Sequence, residues 1–140
     1  MLINEVAEKW KAGGIPFFVN KEGVLRVLLV TSTDPRMNGP DPAIAKGYPN
    51  KGENSPQAAM REMSEETGVK KSDIADIHFL GIFPGKFYAL HTYAFQLKRE
   101  VPPVPDVEAV GHWYDADAAL GIMHKGHRPA LQTLINSFSK

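Results

Sequence analysis

Short, dense apolar runs alternate along this chain with clusters of turn-forming residues, and their lengths predict strands in the first third. Gly13 to Val19 and Val24 to Thr31 are rich in β-branched and aromatic side chains and are separated by Asn20 to Gly23, which predicts two strands joined by a turn. The second run, VLRVLLVT, has the near-continuous apolar character of a buried strand. Ahead of them, Asn4 to Lys11 predicts a short helix or an arm. Ser32 to Asp41, rich in Pro, Gly, Asp and Asn, predicts a loop, with Pro42 to Lys46 a short strand behind it. From Ser55 to Thr67 the spacing becomes helical, with Ser55 before Pro56 as the expected N-terminal cap and Gly68 as the stop. Ile77 to Phe83 and Phe87 to Lys98 predict a hairpin about Pro84-Gly85-Lys86. After a proline-interrupted loop at Val101 to Pro105, His112 to Tyr114 predicts a last strand, and Asp115 to Met123 and Arg128 to Phe138 predict helices. Mixed strands with a helix after the third element and helices at the end make an α/β layered domain.

At 140 residues and 43% hydrophobic, residues 1–140 are expected to form one domain with a sizeable core. Sixteen basic residues balance sixteen acidic ones, so no global field favours a long nucleic acid, and a small phosphorylated ligand fits better than a polymer. With no cysteine there is neither a disulfide framework nor a thiol nucleophile. No apolar run reaches the roughly 18 residues of a membrane span, and Met1 to Lys11 has no apolar signal core, so a cytoplasmic protein without membrane partners is expected.

The chemistry concentrates in Gly47 to Val69, GYPNKGENSPQAAMREMSEETGV. At about 100° per residue, Glu62, Glu65 and Glu66 fall within an arc of roughly 100° on the predicted helix, while Ala59, Met60, Met63 and Thr67 form an adjoining arc suited to packing on a sheet. Three like charges so placed repel, and something cationic must offset them. Arg61 lies one turn from Glu65 and can pair with it, but one arginine leaves the cluster negative. Hard cations such as Mg²⁺ or Mn²⁺, which take oxygen ligands and keep waters and substrate phosphates in their shell, suit the remainder. A merely solvated acidic face is the competing explanation. Against it, the glycines and Glu53 sit where a loop must wrap back onto the same helix face.

Gly47, five residues, Glu53, seven residues, then Arg61-Glu62-Met63-Ser64-Glu65-Glu66-Thr67-Gly68-Val69 resembles, at every specified position, the signature of the Nudix hydrolases, which cleave nucleoside diphosphates linked to another moiety. More weakly, Ala12-Gly13-Gly14-Ile15 resembles the family's first strand and Gly111-His112-Trp113-Tyr114-Asp115 its closing strand. The resemblance implies a Nudix-like α/β/α sandwich with a mixed sheet, and hydrolysis of a phosphoanhydride by metal-activated water. It implies Glu62 and Glu66 as the main ligands of Mg²⁺ (or Mn²⁺), Glu65 as a further ligand, and Gly47 as a carbonyl reaching the metal. Arg61 would orient the carboxylates and Glu53 steady the helix. The family's general base varies between a glutamate of this segment, here Glu65 or Glu62, and an acidic residue of the loop before the last strand. That loop holds Asp106 and Glu108, of which Glu108 lies closer to Trp113.

Lys46-Gly47 resembles the Pro-Lys-Gly lead-in of the branch that cleaves diadenosine polyphosphates and diphosphoinositol polyphosphates, with Ala45 in the proline's place. Lys46, Lys51 and Arg36 are candidates to meet extra phosphates, and Phe87 or Tyr88, beside Phe83 at the hairpin turn, to stack on a nucleobase. The five histidines lack the paired spacing of a zinc site, and His91 alone is placed to line a pocket. The expected function is Mg²⁺-dependent hydrolysis of dinucleoside polyphosphates or nucleoside triphosphates by a monomer or homodimer. Hydrolysis at RNA 5′ ends ranks lower, and a catalytically silent nucleotide-binding module is the competing class.

Overall fold

The structure, a computed structural model, describes residues 9–34, 41–106 and 109–138. Strand β1 (Trp10–Val19) lies at the middle of a six-stranded mixed sheet whose main path also contains β2 (Leu25–Ser32), β4 (Ile74–Pro84), β5 (Ala89–Leu97) and β6 (Ala109–Asp115), in the order β4-β5-β1-β2-β6. Only β1 and β5 run parallel. On its other edge β1 is shared: Phe17 to Val19 pair with β2, whereas Ala12 to Gly14 pair with the short β3 (Ala45–Gly47). This fork between β2 and β3 positions everything discussed below.

Side-chain parity builds the layers. Because neighbouring residues of a strand face opposite sides, Ile15, Phe17, Val27, Leu29 and Ala94 point to one face, where Ala116, Ala119, Ala130, Leu131 and Leu134 of α2 (Ala116–Ile122) and α3 (Arg128–Phe138) bury them. Ala12, Leu28, Tyr93, Phe95 and Leu97 point to the other, under Ala58, Ala59 and Met63 of α1 (Ser55–Thr67). The result is the expected α/β/α sandwich. Gly14 lets α1 approach: a Cβ there would lie 2.3 Å from the Phe95 ring and 3.2 Å from Met63 Cβ. Among the described residues, no helix is long and apolar enough to cross a membrane.

Several expected boundaries move. Trp10 and Lys11 belong to β1 rather than to an N-terminal helix or arm, and residues 4–8 of that expectation lie outside the described residues. β3 is three residues long, and the Pro42 to Ile44 stretch expected to be strand makes only an isolated Ala43–Val30 bridge. β4 starts at Ile74 and β6 at Ala109, earlier than their apolar patterns indicate, because pairing with β5 and β2 continues through polar and glycine positions. Helix α3 has its expected bounds.

His127, in a 3-10 turn before α3, ties the helical layer to the fork. Its Nδ1 accepts the Ile44 N–H at 3.0 Å, and the ring is 4% exposed. Burial above all, with the nearby Lys46, His124 and Lys11 charges, pushes its pKa down to about 3. The unfolded chain therefore takes up this proton first. Stability from neutral His127 is full above about 6.5 and is lost as pH falls toward 3. His127→Phe should cost roughly 1–3 kcal/mol at pH 7 by orphaning the Ile44 N–H, and should lose less further stability than the native chain on going to pH 5. Denaturant melts at both pH values check this; parallel losses would contradict it.

Candidate active site

The loop from β3 to α1 is fastened at both ends. Asn54, not the expected Ser55, caps α1: its side chain accepts the Gln57 N–H, and Gln57 returns a bond to the Asn54 N–H, each at 3.0 Å. Ser55 instead shares a hydrogen bond with the Tyr93 hydroxyl, which fixes the first turn to β5. At the far end Gly68 takes a left-handed conformation (φ 79°), and its N–H returns to the Ser64 carbonyl.

Arg61 is the hub between loop and helix. Its Nε and Nη2 donate to the two oxygens of Glu53 at 2.8 and 3.0 Å, and Nη2 also reaches the Tyr48 carbonyl at 3.0 Å. Nη1 donates to Glu62 at 3.1 Å and to Glu65 at 3.2 Å. Glu53 in turn accepts the Asn50 N–H at 2.7 Å. The Arg61 guanidinium first, then the Asn50 N–H, holds the Glu53 carboxyl below the usual carboxylate range, and Glu53 above all raises Arg61.

The three helix carboxylates separate into two environments. Relative to Glu62, Glu66 lies about 40° to one side of the helix and Glu65 about 60° to the other, next to Arg61. Arg61 accordingly claims Glu65, which remains 55% exposed. Glu62 and Glu66 are left together, hydrogen-bonded to each other, with Glu66 also accepting the Lys46 N–H. Burial, then the Glu62 charge, pushes the Glu66 pKa up to about 8. Glu62 also fills the space over Gly47, where a Cβ would lie 2.2 Å from its Oε2.

Among the described residues no three His, Cys, Asp or Glu side chains converge as a ready-made metal cage. The donor set nonetheless fits Mg²⁺, which is commonly held by one or two carboxylates and completed by waters and substrate phosphates. A divalent charge beside Glu62 and Glu66 would offset the repulsion that, together with burial, raises the Glu66 pKa.

A cavity of about 460 Å³ opens at the fork, lined among others by Lys11, Ser32, Ala43, Lys46, Glu66 and Ala109. Burial first, then the Lys11 charge, lowers the Lys46 pKa against the pull of Glu66 and Glu62. A larger hollow of about 570 Å³ lies between the β1–β2 turn, α2 and α3. It is lined by Asp115 and Asp117 but by no described lysine or arginine, so a polyphosphate has nothing to bind there.

Of the other candidates, Lys51 is exposed on the loop. Phe87 is 83% exposed, has a left-handed backbone (φ 73°), and lines a separate cavity with Tyr88, Phe83 and Lys9. His91 packs against Trp10, with ring centroids 5.0 Å apart, and does not line the fork cavity. Arg36 and Glu108 lie outside the described residues. Lys11 and Tyr48 were absent from the expected set. Their strand register brings them to the site, and no local sequence pattern marks them.

The family profile described as NUDIX domain matches residues 10–134. No curated protein matches the chain. Solved structures do: a C. elegans Ap4A hydrolase binary complex (18% identity, 92% of this chain and 96% of that one, TM-score 0.72) and the E. coli dihydroneopterin triphosphate pyrophosphohydrolase (22%, 92% and 98%, 0.71) are similar in fold. So is the NUDIX domain of Shewanella oneidensis NrtR complexed with ADP ribose (14%, 95% and 90%, 0.75).

Gly47→Ala should fold, since the added methyl meets only the movable end of Glu62. By swinging that carboxylate away it should weaken Mg²⁺ or Mn²⁺ binding by roughly tenfold or more. Calorimetric titration with Mn²⁺ checks this, and native affinity in the variant would remove Glu62 from the ligand set.

Proposed function

The chain belongs to the NUDIX domain family, and from that premise we propose that it hydrolyses a phosphoanhydride bond in a nucleoside polyphosphate, either a dinucleoside polyphosphate or a nucleoside triphosphate. The observation that carries this is Glu66, hydrogen-bonded to Glu62, with Lys46 beside it on one cavity: carboxylates for a divalent cation, an ammonium for the phosphate it accompanies. Two similar folds bear names of polyphosphate hydrolases, which supports the substrate class.

Each residue has a part. Glu62 and Glu66 would hold the cation, with the Gly47 carbonyl, at the end of β3, as a further donor. Mg²⁺ held there would supply polarisation of a phosphoryl oxygen and a more nucleophilic water. Arg61 fixes Glu62 in place and takes Glu65 out of the pair, while Glu53 holds Arg61. Lys46 binds a phosphate oxygen and offsets charge that develops on it in the transition state. Lys51 and Arg36 are candidates to meet phosphates farther along, and Phe87 or Tyr88 to face the base.

Glu66→Gln should keep the fold and lower kcat at least about a hundredfold, as the loss of a metal-centred contribution demands. Activity of the native protein should vanish in EDTA and return with Mg²⁺. The assay is a panel of nucleoside triphosphates and dinucleoside polyphosphates with products resolved by chromatography; native turnover by Glu66→Gln would sink the assignment. Nucleotide binding without turnover across the panel would make the protein a sensor instead.

The water also needs a base. Glu65 is ion-paired with Arg61, and Glu62 and Glu66 face each other. Glu108 directly precedes Ala109, which lines the fork cavity. Glu108→Gln should therefore lower kcat strongly with KM and metal affinity nearly unchanged, the pattern of an interaction made mainly in the transition state. An unchanged kcat returns the role to Glu65 or Glu62.

A further inference from the structure

Lys11 is a half-buried cation held by rings rather than by a carboxylate. Its Nζ sits 4.4 Å from the centroid of the Tyr88 ring and 4.8 Å from that of Tyr48, inside the range of favourable cation–π contact. Among the described residues it has no ion-pair partner. The two rings come from different places, Tyr48 just after β3 and Tyr88 just before β5, and they meet only because both strands flank the first residues of β1.

The register also sets Lys11 relative to Lys46. Gly13 pairs with Lys46 across the β1–β3 ladder, so Lys46 shares a face with Gly13 and therefore with Lys11, two residues away. Gly13, opposite Lys46, adds no side chain between the two lysines. Both line the cavity that Glu66 also borders. The backbone positions of such a diagonal pair lie roughly 7–8 Å apart, which lets the two ammoniums meet different phosphates of one chain.

Two ammonium groups directed into one cavity repel each other. A carboxylate beside Lys11 would have cancelled its charge; the rings hold the group in place and leave that charge available to a ligand. An anion that carries charge along its length meets both.

We propose that Lys11, gripped by Tyr48 and Tyr88, is a second phosphate-binding residue which with Lys46 fits the cavity to a chain of three or more phosphates rather than a diphosphate bridge. This rests on the polyphosphate reading above and names a residue that would carry its preference for longer phosphate chains. It also explains the neutral clamp: Tyr48 and Tyr88 set where the ammonium points without competing for it.

The test measures binding, not turnover. Methylene-bridged, uncleavable nucleoside triphosphate and diphosphate are titrated calorimetrically with Mg²⁺ into the native protein, Lys11→Met and Lys11→Arg. Lys21→Ala, in the exposed β1–β2 turn, controls for net charge. Lys11→Met should weaken the triphosphate analogue by roughly tenfold or more and the diphosphate by less than about threefold, while Lys11→Arg keeps most of the affinity. Equal weakening of both analogues, or none, overturns the proposal. If that pattern appears but the native protein cleaves no nucleotide, the hydrolase reading falls and the phosphate subsite stands. If cleavage occurs with no dependence on Lys11, the reverse holds.

Discussion

The two-point bond between Arg61 and Glu53 is the constraint on which the site's geometry depends. A guanidinium presents its donors in a rigid fork, and a carboxylate fits two of them at once. Once Glu53 has taken Nε and one side of Nη2, the plane of the group is fixed, and Nη1 can point only toward Glu62 and Glu65. A lysine could supply the charge but not this direction. The same fork gathers the Tyr48 carbonyl, so the loop from Gly47 to Glu53 lies along α1 instead of extending into solvent. Partly exposed ion pairs contribute modestly to stability. Their value here is in position, because they decide which carboxylates are left to face each other.

Close approach supplies the other half of the geometry. α1 lies against β1 because Gly14 offers no Cβ to the Phe95 ring or Met63, and Glu62 reaches the sheet because Gly47 leaves a space of the same kind. Both glycines act through missing volume, not through unusual backbone angles. β1 must also give up β2 midway along its edge so that β3 can pair with Ala12 to Gly14. That exchange opens the fork and brings Lys46, Gly47 and Lys11 into one neighbourhood.

What the sequence made legible follows from how local each signal is. The helix that carries Arg61, Glu62, Glu65 and Glu66 has a fixed period, so the Arg61–Glu65 pairing was legible, whereas Glu53 was expected to lie against the helix face and its bond to Arg61 was not foreseen. The α/β layered class followed from the order of the expected strands and helices, and the α/β/α arrangement from the family resemblance. The cap was misplaced by one residue because Asn54 and Ser55 are both good caps, and only the Tyr93 hydroxyl, 38 residues from Ser55, decides between them. Angular spacing put three glutamates on one arc but could not foresee that Arg61 would divide them. Lys11 and Tyr48 were invisible for a different reason: they are neighbours through β1–β3 register, and a strand of three residues leaves almost no periodicity from which to read it. Where a lysine's partner is a ring across a ladder, charge pattern along the chain says nothing.

The balance of charge at the fork now has a physical sense. Burial and the Glu62 charge push the Glu66 pKa up to about 8, and burial and the Lys11 charge lower that of Lys46. Each pair brings like charges together, and on the proposed reading each would be relieved by its own ligand, a divalent cation for the carboxylates and a phosphate chain for the ammoniums. Because a hard cation takes phosphate oxygens into its shell, the two proposed ligands would favour each other's binding at the fork. If Lys11 binds phosphate as proposed, selectivity would follow from length: a substrate too short to reach from the carboxylate pair to Lys11 would relieve only one of the two pairs.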